Sequence, residues 1–62
     1  MKIQYYEGKN NHQWYWRMLA DNGKIIADGA EGYDSKGNVN RAIENLISLF
    51  IDPPAVEERP ID

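Results

Sequence analysis

No cysteine occurs among the 62 residues of this chain, and histidine occurs once, at His12. Disulfide staples are therefore excluded, and a structural zinc site has no Cys/His ligand set to draw on. The lack of cysteine fits a reducing cytoplasm, the compartment expected for this chain. Long apolar runs are also missing. No segment approaches the roughly 20 apolar residues of a membrane span. Met1–Tyr5 carries one positive charge and no apolar stretch, so no signal peptide is expected.

Chemistry-bearing constellations are scarce. His12 sits in a polar stretch without a nucleophile or carboxylate at recognisable spacing, and Ser35, Ser48 and the scattered acids form no oriented set. Gly32-Tyr33-Asp34-Ser35-Lys36-Gly37 superficially resembles a phosphate loop. Gly37 is followed by Asn38-Val39 instead of Lys and Ser/Thr, so the segment reads as a strand-to-helix turn with a cap. No catalytic, cofactor-binding or metal residue is expected, and the chain is not expected to be an enzyme.

An excess of positive charge is absent too. Residues 1–51 hold six basic side chains (Lys2, Lys9, Arg17, Lys24, Lys36, Arg41) and six acidic ones (Glu7, Asp21, Asp28, Glu31, Asp34, Glu44). The whole net charge of −3 falls in the last residues, where Asp52, Glu57, Glu58 and Asp62 outnumber Arg59. A neutral body is a poor footprint for phosphate-driven binding, so nucleic acid is a disfavoured partner.

What is present is a strand-rich block followed by a helix. Alternation and aromatic content predict strands over Lys2–Glu7, Trp14–Ala20 and Lys24–Ala30. Asn22-Gly23 predicts a type I′ hairpin turn. That turn sets Leu19 opposite Ile26, Met18 opposite Ala27, Arg17 opposite Asp28 and Trp16 opposite Gly29. One face then carries Trp14, Trp16 and Met18, and the other Tyr15, Arg17, Leu19 and Ile26. Asp34 or Ser35 caps a helix from Lys36 to Ile51 whose stripe is Val39, Ala42, Ile43, Leu46 and Phe50, stopped by Asp52-Pro53-Pro54. The fold class is α+β: a three-stranded antiparallel meander followed by one helix packed on one sheet face, β-β-β-α. Residues 1–51 form this single domain. Residues 52–62 form an acidic, proline-containing tail, extended or disordered, in which Val56 and Ile61 are the residues able to dock on a neighbour.

A 62-residue domain buries only about 60% of its unfolded surface, and without disulfide or metal the remaining staple is a partner subunit. One helix covers one sheet face. The uncovered apolar residues Tyr15, Leu19, Ile26, Leu49 and Ile51, with Ile47 beside them, are the candidate interface of a homodimer, and a charge at Leu19 is expected to dissociate it. The function expected is a non-enzymatic homodimeric protein-interaction module, with a further protein partner. One alternative is a nucleic-acid-associated protein using Tyr15, Arg17 and Lys24. Another is a small acidic regulator acting through its tail.

Trp14–Ala27, with its Arg17, Ala20, Asn22-Gly23 turn and Ile25-Ile26-Ala27, followed by Gly32, Tyr33, Ser35, Lys36 and Ile43, resembles the YegP-like family of small bacterial and archaeal domains of unknown function. The resemblance spans about residues 3–47. It implies a β-β-β-α unit, found in tandem or as single copies that pair, and it supplies no catalytic residues. Two features depart from the family pattern: the apolar helix end Ile47-Ser48-Leu49-Phe50-Ile51 and the acidic tail.

Overall fold

The computed structural model of the chain describes residues 1–29 and 31–59. Its strands are β1 (Lys2–Glu7), β2 (Trp14–Leu19), β3 (Ile25–Asp28) and β4 (Ala55–Glu58), with the helix α1 (Lys36–Ile47) between β3 and β4. They form one mixed sheet of order β3-β2-β1-β4, antiparallel except where β4 runs parallel to β1. The α+β class and the meander stand; the sheet has four strands, not three.

The fourth strand comes from the tail. Its register sets Val56 beside Ile3 and Glu58 beside Tyr5, and the Arg59 N–H continues the ladder to the Tyr5 carbonyl at 2.9 Å. Little apolar burial holds it, because Val56 remains 38% exposed. Two ion pairs flank it instead, Lys2–Glu57 at 3.2 Å and Lys36–Glu58 at 2.5 Å. Val56 is thus engaged within its own chain. Ile61, the other tail residue expected to dock, lies outside the described residues.

The helix starts where a cap permits it. Ser35 is extended, and its Oγ accepts the Asn38 N–H at 3.1 Å. It ends four residues short of the expected Ile51, at Ile47. Leu49 and Phe50 donate backwards to Leu46 and Ile47 at 3.1 and 3.0 Å, and the Ser48 hydroxyl donates to the Asn45 carbonyl at 2.7 Å. These three-residue closures tighten the last turn. The chain then has room to swing through Pro53-Pro54 and lay β4 along β1.

Ile3, Met18, Val39 and Ile43 form the buried core, with Trp14, Trp16, Tyr33, Leu46, Ile47 and Phe50 packed around it. The helix stripe and the Trp-bearing sheet face meet as expected. Ile47, expected on the flank of the stripe and partly exposed, is partly buried against the core. The Gly32–Gly37 link anchors itself by backbone: Trp14 and Tyr33 exchange N–H···O bonds of 2.7 and 2.8 Å. This segment works as turn, anchor ring and cap.

The hairpin corrects the expected register. A type I′ turn needs positive φ at Asn22 and Gly23; Gly23 has φ +86°, and Asn22 is not among the positive-φ residues. Ala20 donates to the Lys24 carbonyl, and Gly23 donates to the Ala20 carbonyl, both at 2.9 Å, so the loop has three residues, Asp21 to Gly23. Asn22 Oδ1 accepts the Lys24 N–H at 3.0 Å, a local bond that favours this shape. Leu19 consequently pairs with Ile25, not Ile26. A bulge beside it then restores Met18↔Ala27 and Arg17↔Asp28. The expected third strand is shortened at both ends, and its terminal Ala30 lies outside the described residues.

Candidate functional site

Two surfaces collect the exposed, information-bearing residues. The first is the sheet face opposite the helix. Period-two alternation and the β1–β2 register place Tyr6 beside Tyr15, Gln4 beside Arg17 and Lys2 beside Leu19 on this face. β4 adds Glu57 beside Gln4, with Arg59 following it. The Tyr6 and Tyr15 rings stack with centroids 5.9 Å apart and planes 27° apart. Asn11 Nδ2 donates to the Tyr15 hydroxyl at 2.7 Å, tying the β1–β2 loop to the ring.

Arg17 does not form the ion pair that its register with Asp28 suggests. Its Nε and Nη2 both donate to Gln4 Oε1, at 3.1 and 2.9 Å, and its guanidinium carbon lies 5.6 Å from the Tyr6 ring centre. Gln4 is buried at 7% exposure, and this two-pronged contact satisfies its oxygen. The Arg59 guanidinium carbon lies 5.5 Å from the same Tyr6 ring. Two cations therefore flank one aromatic ring.

This arrangement differs from the apolar face expected. Leu19, named as an interface residue, is only 6% exposed and lies between its register partners Lys2 and Ile25. It is a packing residue, so a charge there would act on folding before it acted on association. Tyr15 is half-buried in the ring stack, and Ile26 is 54% exposed on the edge strand β3. Lys24 is exposed at the hairpin, away from the tyrosines. Tyr15 and Arg17 are thus brought together; Leu19, Ile26 and Lys24 do not join them in one patch. Gln4 and Arg59 were not among the site residues expected from the sequence. Alternation from Tyr6 puts Gln4 on this face, whereas Arg59 required knowledge of β4.

The second surface is the linker from α1 to β4. Phe50 turns inward against the core. Its neighbours turn outward: Leu49 is 81% exposed and Ile51 fully so. These are the two remaining interface candidates, and they lie in the linker that leads into β4, whereas Ile26 lies on β3 at the opposite edge of the sheet.

Among the described residues, the titratable groups with shifted pKa are Lys36 and Asp21, both at the periphery. Lys36 has its pKa raised, first by its hydrogen bond to Glu58 and then by that carboxylate's charge; its ammonium also lies 5.8 Å from the Tyr5 ring and 6.0 Å from the Trp14 ring. The α-amino group of Met1 hydrogen-bonds to Asp21 and lowers that carboxyl's pKa. Among the described residues, no group of three or more His, Cys, Asp or Glu could hold a metal, and no helix is long and apolar enough to cross a membrane.

Residues 9–56 match the family model described as a domain of unknown function (DUF1508). No curated protein and no solved structure matches the chain.

Proposed function

The chain belongs to the DUF1508 family of domains of unknown function, and from that premise we propose that it is a non-enzymatic homodimeric protein-interaction module. One observation carries this reading: Leu49 and Ile51 are 81% and 106% exposed in a linker whose neighbours Ile47 and Phe50 pack into the core. Full burial of a Leu or Ile side chain contributes about 1.5–3 kcal/mol. A two-fold interface buries each residue twice, once from either copy. That gain is large beside the marginal stability of a 62-residue domain without disulfides.

The self-association surface is therefore centred on Leu49 and Ile51, and the back of the sheet is left free. A purely tail-based acidic regulator gains no support from the geometry, because Glu57 and Glu58 are engaged by Lys2 and Lys36. The test is the paired substitution Leu49→Lys/Ile51→Lys, read by light scattering at micromolar concentration. The expected result is a shift from dimer to a 7.2 kDa particle with an unchanged circular dichroism spectrum. An unaltered dimer would move the interface elsewhere.

A further inference from the structure

We infer that the sheet face opposite the helix is a binding platform for single-stranded nucleic acid, with Tyr6 and Tyr15 stacking on bases and Arg17 taking a phosphate. The two tyrosines stand on adjacent strands with their rings stacked, centroids 5.9 Å apart and planes at 27°, a stack that a base can extend. Such stacking tolerates any base. Arg17 is oriented before any ligand arrives. Two of its donors are fixed on Gln4 Oε1 and its plane is laid near the Tyr6 ring. A guanidinium has five N–H donors, so three remain for an anion.

The partner of Arg17 decides its availability. Its hydrogen bonds go to a neutral amide, and the Glu57 carboxylate beside that amide is drawn off by Lys2 at 3.2 Å. Arg17 thus turns its remaining donors out beside the aromatic pair, and the Arg59 guanidinium carbon lies 5.5 Å from the Tyr6 ring centre. The stacking residues lie on two adjacent strands, β1 and β2, a spread that suits a polymer better than a mononucleotide. A concavity of about 220 Å³ lies at the other end of β1, among Met1, Lys2, Ala20 and Asp21. A sheet platform gains its affinity from a nucleic-acid strand laid across several β-strands.

The face also carries Asp28 and Glu57, so few phosphates are neutralised and the salt dependence is shallow. Each phosphate contact on a single strand contributes a slope of about −0.7 in log K against log salt. One or two contacts therefore leave a slope near −1. This separates the platform from a basic-patch binder, whose slope is several-fold steeper.

The experiment titrates the full-length protein into fluorescein-labelled oligouridine at about 50 mM salt, read by polarisation, with Tyr15→Leu, Arg17→Gln and Lys24→Gln alongside. Tyr15→Leu is expected to weaken binding by about 5-fold or more. Arg17→Gln is expected to weaken it and flatten the salt slope by about 0.7. Lys24→Gln, at the hairpin, is expected to leave it unchanged. Amide chemical-shift mapping on the wild-type protein avoids reliance on the variants, and the expected shifts fall on Gln4, Tyr6, Tyr15 and Arg17. No polarisation change, shifts on the helix side, equal binding to duplex, uridine monophosphate competing as well as the oligomer, or equal loss in Lys24→Gln would each overturn the platform. This outcome is independent of the dimer, whose test reads particle mass alone.

Discussion

Trp16 lies directly over Gly29: a Cβ built on Gly29 would come within 2.5 Å of the indole Nε1 and 2.9 Å of Cδ1. The two residues are also joined by backbone, since Gly29 donates to the Trp16 carbonyl at 3.1 Å. The glycine is required here for space, not for a special φ. The indole spreads over the end of β3, which α1 does not contact.

Gly29→Ala should therefore cost about 1–3 kcal/mol, the usual penalty for overpacking a filled site. Urea denaturation measures it, and near-UV circular dichroism should show the tryptophan signal altered. An unaffected midpoint would mean that the indole moves aside freely.

The hairpin offers a sharper contrast. Gly23 has φ +86°, with open space where a Cβ would go. Gly23→Ala should cost about 1 kcal/mol through backbone strain alone. Asn22→Ala should cost less, because the lost element is one exposed hydrogen bond to the Lys24 amide. Equal penalties at the two positions would restore the type I′ turn. Thermal melts of both variants under one condition decide between them.

Ser35 caps α1 through Oγ, and the helix has no acidic residue in its first turn to share that task. Ser35→Ala should destabilise the fold by about 1 kcal/mol, and Ser35→Asp should restore most of the loss. Denaturant midpoints of the pair measure this. Failure of Asp to rescue would show that the hydroxyl acts through some contact other than the cap.

The Lys36–Glu58 pair ties β4 to the helix start, and its pH response has a definite sign. The folded-state pKa of Lys36 lies above its ordinary 10.5. Its contribution is therefore complete below that value and is lost as pH rises through the folded-state pKa. The melting-temperature gap between the wild-type protein and Lys36→Met should hold steady from neutral pH to about 10 and close beyond 10.5. High salt should narrow the same gap at pH 7, because both side chains are about half exposed. A gap independent of pH and salt would assign the effect to the lysine's packing on Tyr5 and Trp14.

Much of this architecture was legible in the sequence, and the exceptions share a cause. The strands β1 and β2, the cap at Ser35, the buried Val39–Ile43 stripe and the Trp16–Gly29 pairing follow from period, propensity and size complementarity acting locally. β4 was missed because Ala55-Val56-Glu57-Glu58 has neither alternation nor apolar bulk. It becomes a strand only because β1 offers an edge and Lys2 and Lys36 stand on either side. The partner of Leu19 was misread for a related reason. A turn one residue longer than expected shifts its partner from Ile26 to Ile25, and face assignment on β3 depends on that shift. Of the candidate residues, Ile26, Leu49 and Ile51 kept the exposure expected of them.

Sedimentation equilibrium of the full-length protein tests the central claim most directly. The account predicts a mass twice the 7.2 kDa of the chain at micromolar concentration, with dissociation on dilution. A mass of one chain throughout that range would contradict it.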